Sequence, residues 1–138
     1  MFTAWLLPLL FIESAPSGAS EVRTCIENKT QAGYADEWRS RSLEVREVTP
    51  SETSYLMVQL TRGLEYRLFA CGDTEVLDLD LVLYDANGRL REQTDTRSRE
   101  PEIVYKPNRS GAYFLGFQIF EPATSKGNVA LAIGMSYR

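Results

Sequence analysis

The sequence predicts an all-β fold: an antiparallel β-sandwich of jelly-roll type with about eight strands, preceded by a short N-terminal helix. From Leu43 to the end of the chain, apolar residues recur with a period of two, as they do in half-buried strands. Turn-forming residues separate these stretches at intervals of about 8–15 residues. The length of 138 residues, with 43% apolar and 25% charged residues, leaves room for one such domain and excludes a disordered or collagen-like chain.

Residues 1–19 have the pattern of a secretory signal peptide. Residues 4–12 are nine consecutive apolar residues, which as a helix reach less than half of the ~30 Å hydrocarbon core of a membrane. Small residues follow, and 17–19 fit the small-x-small rule for cleavage after Ala19. The first three residues carry no Lys or Arg, unlike most signals, and the alternative is a short buried element. We therefore expect a periplasmic or secreted protein with no integral membrane segment after cleavage.

Residues 20–42 are expected to form the N-terminal helix and a connector. Val22, Cys25 and Ile26 have helical i, i+3, i+4 spacing, and Gly33 follows where a helix C-cap would lie. Cys25 and Cys71 are the two cysteines of the chain. In an exported protein this pair favours a disulfide that closes a loop of roughly 45 residues. The alternative is two buried thiols.

The β-sandwich domain is expected to span 43–138. Its strongest strand is 77–84, where four leucines share one face, which is expected to point into the core, and Asp78 and Asp80 lie on the other. Residues 113–120 are apolar on both faces, which predicts a central strand covered on both sides. The predicted strands are 43–48, 55–60, 66–71, 77–84, 90–94, 103–105, 113–120 and 128–136.

Charge and composition exclude several functions. The net charge is −4, which argues against nucleic acid as a partner because phosphate neutralisation needs clustered basic residues. The chain has no histidine, which removes the usual general base and any Ser-His or Cys-His dyad. No nucleophile-elbow, P-loop or dinucleotide motif is present. The protein is therefore expected not to be an enzyme.

Acidic residues are concentrated between Asp73 and Asp85. Asp78, Asp80 and Asp85 are candidate calcium ligands, since Ca²⁺ prefers carboxylate and other oxygen ligands. The alternative is that these side chains are solvated or accept hydrogen bonds from loop amides. The EF-hand pattern is absent, and no cofactor other than this calcium is expected.

Two further groups of side chains are candidates for binding. Trp38, in the polar connector, can stack on a sugar ring or anchor a protein if it is exposed, and otherwise packs in the core. Five arginines near the second predicted hairpin form a basic patch, for which the default interpretation is a solvated edge. They are Arg89, Arg91, Arg97, Arg99 and Arg109.

Residues 63–120 contain a series of short motifs: Gly63 to Tyr66, Phe69 to Asp73, Leu77 to Asp85, Asn87-Gly88, Glu100-Pro101, Pro107, and Ser110 to Phe114. Together these motifs resemble the bacterial pre-peptidase C-terminal domain. The resemblance implies a jelly-roll-type sandwich of exported bacterial proteins, usually an accessory to secreted proteases or other hydrolases. Some members bind calcium, collagen or polysaccharide. No peptidase is attached here, which favours the free-standing relatives.

Together these observations predict an exported, non-enzymatic binding or accessory module whose partner is a protein or polysaccharide surface. A calcium-dependent carbohydrate- or matrix-binding domain is the first alternative. A small exported hydrolase that uses paired carboxylates is the second.

Overall fold

A computed structural model describes residues 18–123 and 127–138. The predicted signal peptide, 1–19, lies almost wholly outside the described residues and stays a prediction. Within the described ranges, no helix is both long and apolar enough to cross a membrane.

The predicted fold class is confirmed. One α-helix and a short 3-10 turn precede eight strands in the described part of the chain. The connector is shorter than predicted, because the first strand begins at Arg39, ahead of Leu43. The elements are α1 Gly18–Gly33, the 3-10 turn Tyr34–Asp36, β1 Arg39–Val48, β2 Ser54–Leu60, β3 Tyr66–Gly72, β4 Val76–Asp85, β5 Leu90–Gln93, β6 Glu102–Tyr105, β7 Gly111–Pro122 and β8 Val129–Tyr137.

The strands form two antiparallel sheets packed face to face. In the described residues the first sheet has the order β1-β8-β3-β6 and the second has the order β2-β7-β4-β5. Alternate residues of both sheets point inward and form one apolar core, as in other sandwiches. Its largest fully buried side chains include Tyr66, Leu68, Leu79, Leu81, Leu115 and Phe117.

The helix covers the outer face of the first sheet. Val22 and Ile26 pack there with Phe69 and Ala132 in a second apolar cluster. Gly134 makes this packing feasible, because a Cβ at that position would lie 2.5 Å from Cζ of Phe69 on β3 and 3.2 Å from Cγ1 of Ile26 on the helix. The helix is therefore part of the folded domain.

A covalent bond and an arginine hold the helix to the sheet. Cys25 on α1 and Cys71 on β3 form a disulfide, which confirms the predicted pairing. Arg67 of β3 donates to the carbonyl oxygen of Lys29 at 2.9 Å, and its guanidinium stacks on the Phe69 ring.

Strand β4 departs from the predicted alternation. The prediction that all four leucines face the core is wrong for Leu77, which is 40% exposed, and Asp78 is buried instead. The pairing with β7 shifts register on both sides of Asp78, which is a β-bulge. A bulge inserts one residue and changes which side of the sheet the following residues face.

Strand β7 is central in its sheet, as predicted, but it is covered on one face only. Phe114 and Phe120 are 37% and 70% exposed on its other face. The neighbouring edge strand β2 exposes Tyr55 and Met57. No described residue forms a layer over this face, whereas α1 covers the outer face of the other sheet.

Candidate functional site

Three of the five predicted patch arginines line one cleft at an end of the sandwich. Arg89 comes from the turn between β4 and β5, Arg91 from the start of β5, and Arg109 from the turn between β6 and β7. The cleft between the two turns has a volume of about 480 Å³. Arg97 and Arg99 lie in the loop between β5 and β6 and do not line it.

Asp85 fixes the conformation of the β4–β5 turn. Its Oδ1 accepts hydrogen bonds from the backbone amides of Asn87 and Arg89, at 2.9 and 3.0 Å. Its Oδ2 accepts from Nε and Nη2 of Arg91, at 3.1 and 2.8 Å. Gly88 has a φ of 77°, which glycine adopts without steric cost. The carboxylate therefore holds both the backbone of the turn and one of its arginines.

These contacts lower the pKa of the Asp85 carboxyl from its ordinary value of 3.8. The hydrogen bond from the Arg89 amide is the largest cause, and partial burial acts against it. The Arg91 side chain and the Asn87 amide lower the pKa further, because each favours the ionised form.

We expect the contribution of Asp85 to stability to disappear in acid. A group whose pKa is lower in the folded state stabilises the fold above its unfolded pKa, and this stabilisation is lost as the pH falls through the folded value. The melting temperature of Asp85→Asn should therefore lie below that of the wild type by a constant amount above about pH 5, and the gap should shrink below pH 3.8. Asp95→Asn, at an exposed position, is the control. A gap that stays constant down to about pH 2 would contradict this role.

The β6–β7 turn is held by hydrogen bonds from two sides. The Tyr113 hydroxyl donates to the carbonyl oxygen of Arg109 at 2.8 Å, and the Tyr113 ring packs edge-on against Tyr105 at 5.8 Å between centroids. Oγ of Ser110 accepts from the amide of Arg62 at 2.8 Å. Both walls of the cleft are thus fixed by the sandwich.

The cleft has the chemistry of a binding surface for carboxylates. Arg91 is paired with Asp85, whereas Arg89 and Arg109 are exposed and form no ion pair with another described residue. Asn87, Asn108 and Ser110 add neutral hydrogen-bonding groups. The only carboxylate among its lining residues is bonded to Arg91, and the chain has no histidine, so the cleft lacks a nucleophile with an adjacent base.

The candidate calcium ligands are not brought together. Asp78 accepts from the amide of Ser98 at 3.3 Å, Asp80 lies opposite Gln118, and Asp85 is committed to its own turn. Among the described residues, the three acidic or sulfur side chains close enough to share an ion are Cys25, Cys71 and Glu100, and the two cysteines are joined in the disulfide. Calcium binding at Asp78, Asp80 and Asp85 stays a prediction.

Substitution of Asp78 or Asp80 would test the hydrolase alternative, which needs two paired carboxylates. The pKa of Asp80 is raised, mainly by burial and further by the charge of Asp78. Neither residue lines the cleft between the turns.

Trp38 is not an exposed stacking residue. It is 6% exposed and lies beneath the guanidinium of Arg138, which is 4.3 Å from the ring centroid. The structure therefore favours the packing interpretation of Trp38.

Fold and cleft together define an antiparallel β-sandwich with an arginine-lined cleft between two turns. No protein-family model and no curated protein matches the chain, so the resemblance to the pre-peptidase C-terminal domain rests on its short motifs. The fold is similar to that of a solved structure, PliG from Aeromonas hydrophila, a periplasmic lysozyme inhibitor of g-type lysozyme. The TM-score is 0.54 at 11% sequence identity, and the match covers 75% of this chain and 90% of that one. This likeness shows a shared fold.

Proposed function

We propose that the protein is an exported, non-catalytic module that binds another protein through the cleft between its two turns. The observation that carries this proposal is the pair of exposed arginines, Arg89 and Arg109, on two turns held by hydrogen bonds. The residues that line the cleft include no nucleophile with an adjacent base. Rigid turns support binding because little conformational entropy is lost on association. The disulfide between Cys25 and Cys71 supports export, since such bonds persist in oxidising compartments.

The partner class we propose is a glycoside hydrolase of the lysozyme kind. The similar structure is a lysozyme inhibitor, and the pre-peptidase C-terminal resemblance also implies an accessory to secreted hydrolases. Most glycosidases cut their substrate with a pair of carboxylic residues in a cleft. Two turns that present arginines and amides complement such an acidic cleft in charge and in hydrogen bonding.

Calorimetric titration against a panel of lysozymes, g-type included, tests this proposal. We expect the wild type to bind and inhibit at least one of them. The double variant Arg89→Glu/Arg109→Glu should lose about 100-fold in affinity, because it places carboxylates against carboxylates. Arg23→Glu/Arg41→Glu changes the net charge equally, at exposed arginines outside the cleft, and should keep most of the affinity.

Three outcomes would contradict the proposal. One is that no lysozyme of the panel binds. Another is that both double variants lose affinity equally, which would indicate attraction by net charge alone. The last is hydrolysis of a glycan by the protein itself, abolished by Asp80→Asn, which would favour the hydrolase alternative.

A further inference from the structure

Strand β2 is an edge strand without the usual protection against pairing. Among the described residues it pairs with β7 alone. Its seven residues, Ser-Tyr-Leu-Met-Val-Gln-Leu, include no charge and no proline. Edge strands are normally protected by charges, by proline or by being very short, because their free backbone groups can pair with another chain.

The other three edges carry that protection. Strand β1 has three arginines and two glutamates among its ten residues. Strands β5 and β6 have four residues each and contain charged side chains. The difference singles out β2 as the edge open to pairing.

An apolar crevice of about 260 Å³ opens beside this edge, between β1 and β2. Leu43 of β1, which is 42% exposed, and Leu56 and Val58 of β2 line it. Exposure of these apolar side chains to water is unfavourable in free energy, and a strand added to β2 would reduce it.

We propose that a second copy of this chain pairs with β2, antiparallel, about a two-fold axis through Met57. Each edge then supplies the backbone hydrogen bonds that the other lacks, and the two second sheets join into one. In this register Tyr55 lies opposite the Gln59 of the other copy.

The charges that flank β2 favour a second copy over an unrelated peptide. Glu52 precedes the strand and Arg62 follows it, both are exposed, and neither forms an ion pair with another described residue. Both lie five positions from Met57, just beyond the ends of β2, so the two-fold axis brings each Glu52 to the same end of the paired strands as the Arg62 of the other copy. The edge is therefore complementary to itself in charge as well as in backbone hydrogen bonding.

Sedimentation velocity of the purified protein over a range of concentrations tests the pairing. We expect a reversible dimer that Met57→Lys converts to a monomer, because two lysines would face each other on the axis. Met57 is 57% exposed, so the variant should keep its fold. The matched control is Val104→Lys on the edge strand β6, 48% exposed, which should stay dimeric.

Charge reversal tests the register. Glu52→Arg alone and Arg62→Glu alone should each raise the dimer dissociation constant about tenfold, and the double reversal should restore it. The Met57→Cys variant should form a dimer linked through its introduced thiols on mild oxidation, whereas Val104→Cys should not, because only Met57 lies on the axis.

Two results would overturn the inference. The first is a wild type that sediments as a monomer up to roughly 1 mM, where even a weak association would show. The second is a dimer that persists unchanged in Met57→Lys and in both single charge reversals, since another surface would then hold it. Neither result bears on the arginine cleft, whose residues are not part of this interface.

Discussion

Replacing Cys25 and Cys71 together with alanine should lower the free energy of unfolding by about 4 kcal/mol, the loop-closure entropy for cysteines 46 residues apart. That is a large part of the roughly 5–15 kcal/mol that stabilises a typical domain. The bond joins α1 to β3, so its loss acts on the attachment of the helix as well as on the unfolded chain. Urea denaturation followed by circular dichroism measures the difference.

The wild type in reducing agent is the control for this double variant, because it loses the bond but keeps both sulfur atoms. Its unfolding midpoint should fall close to that of the variant. A loss below about 1 kcal/mol in both samples would mean that apolar contacts alone fix the helix, namely those of Val22 and Ile26.

Leu81→Ala should destabilise the protein by about 2–5 kcal/mol, whereas Leu77→Ala should cost less than about 0.5 kcal/mol. The two leucines belong to the same strand and to the same alternating series of the sequence. Leu81 is fully buried and its truncation leaves a cavity, whereas the bulge at Asp78 turns Leu77 outward to 40% exposure. Chemical denaturation of the two variants side by side measures both values.

The comparison between these leucines tests the bulge itself. If both variants lose stability equally and by several kcal/mol, Leu77 is buried like Leu81 and the simple alternation predicted from the sequence holds. Equal and small losses would mean that the core around Leu81 closes over the missing atoms.

The sequence predicts most of the fold because a strand with one buried face has apolar residues at alternate positions. The predicted and observed strands coincide to within a few residues at nearly every end. The errors in predicted burial occur where the alternation of apolar residues does not report which face is covered. At Asp78 an inserted residue shifts the phase, and at Phe114 and Phe120 apolar residues stay exposed because no element of the described chain covers that face.

The candidate site is harder to predict, because it depends on which turns meet. The arginines and both turns can be found in the sequence, at 85–88 and 107–111. Only the order β2-β7-β4-β5 places the two turns at the same end of one sheet, with Arg89 near Arg109 and with Arg97 and Arg99 elsewhere. Sequence reasoning assigned no binding role to Asn87, Asn108 and Ser110, which are common turn residues and carry no separate signal.

The position of β8 determines the order in which the chain can fold. This strand comes last along the sequence, yet it lies between β1 and β3 and supplies Ala130 and Ala132 to the surface on which the helix packs. A chain that lacks 129–137 therefore leaves β1 without a partner strand, leaves β3 paired with β6 alone, and offers the helix an incomplete packing surface. The first sheet and the attachment of its helix can therefore be completed only after β8 has been inserted between β1 and β3.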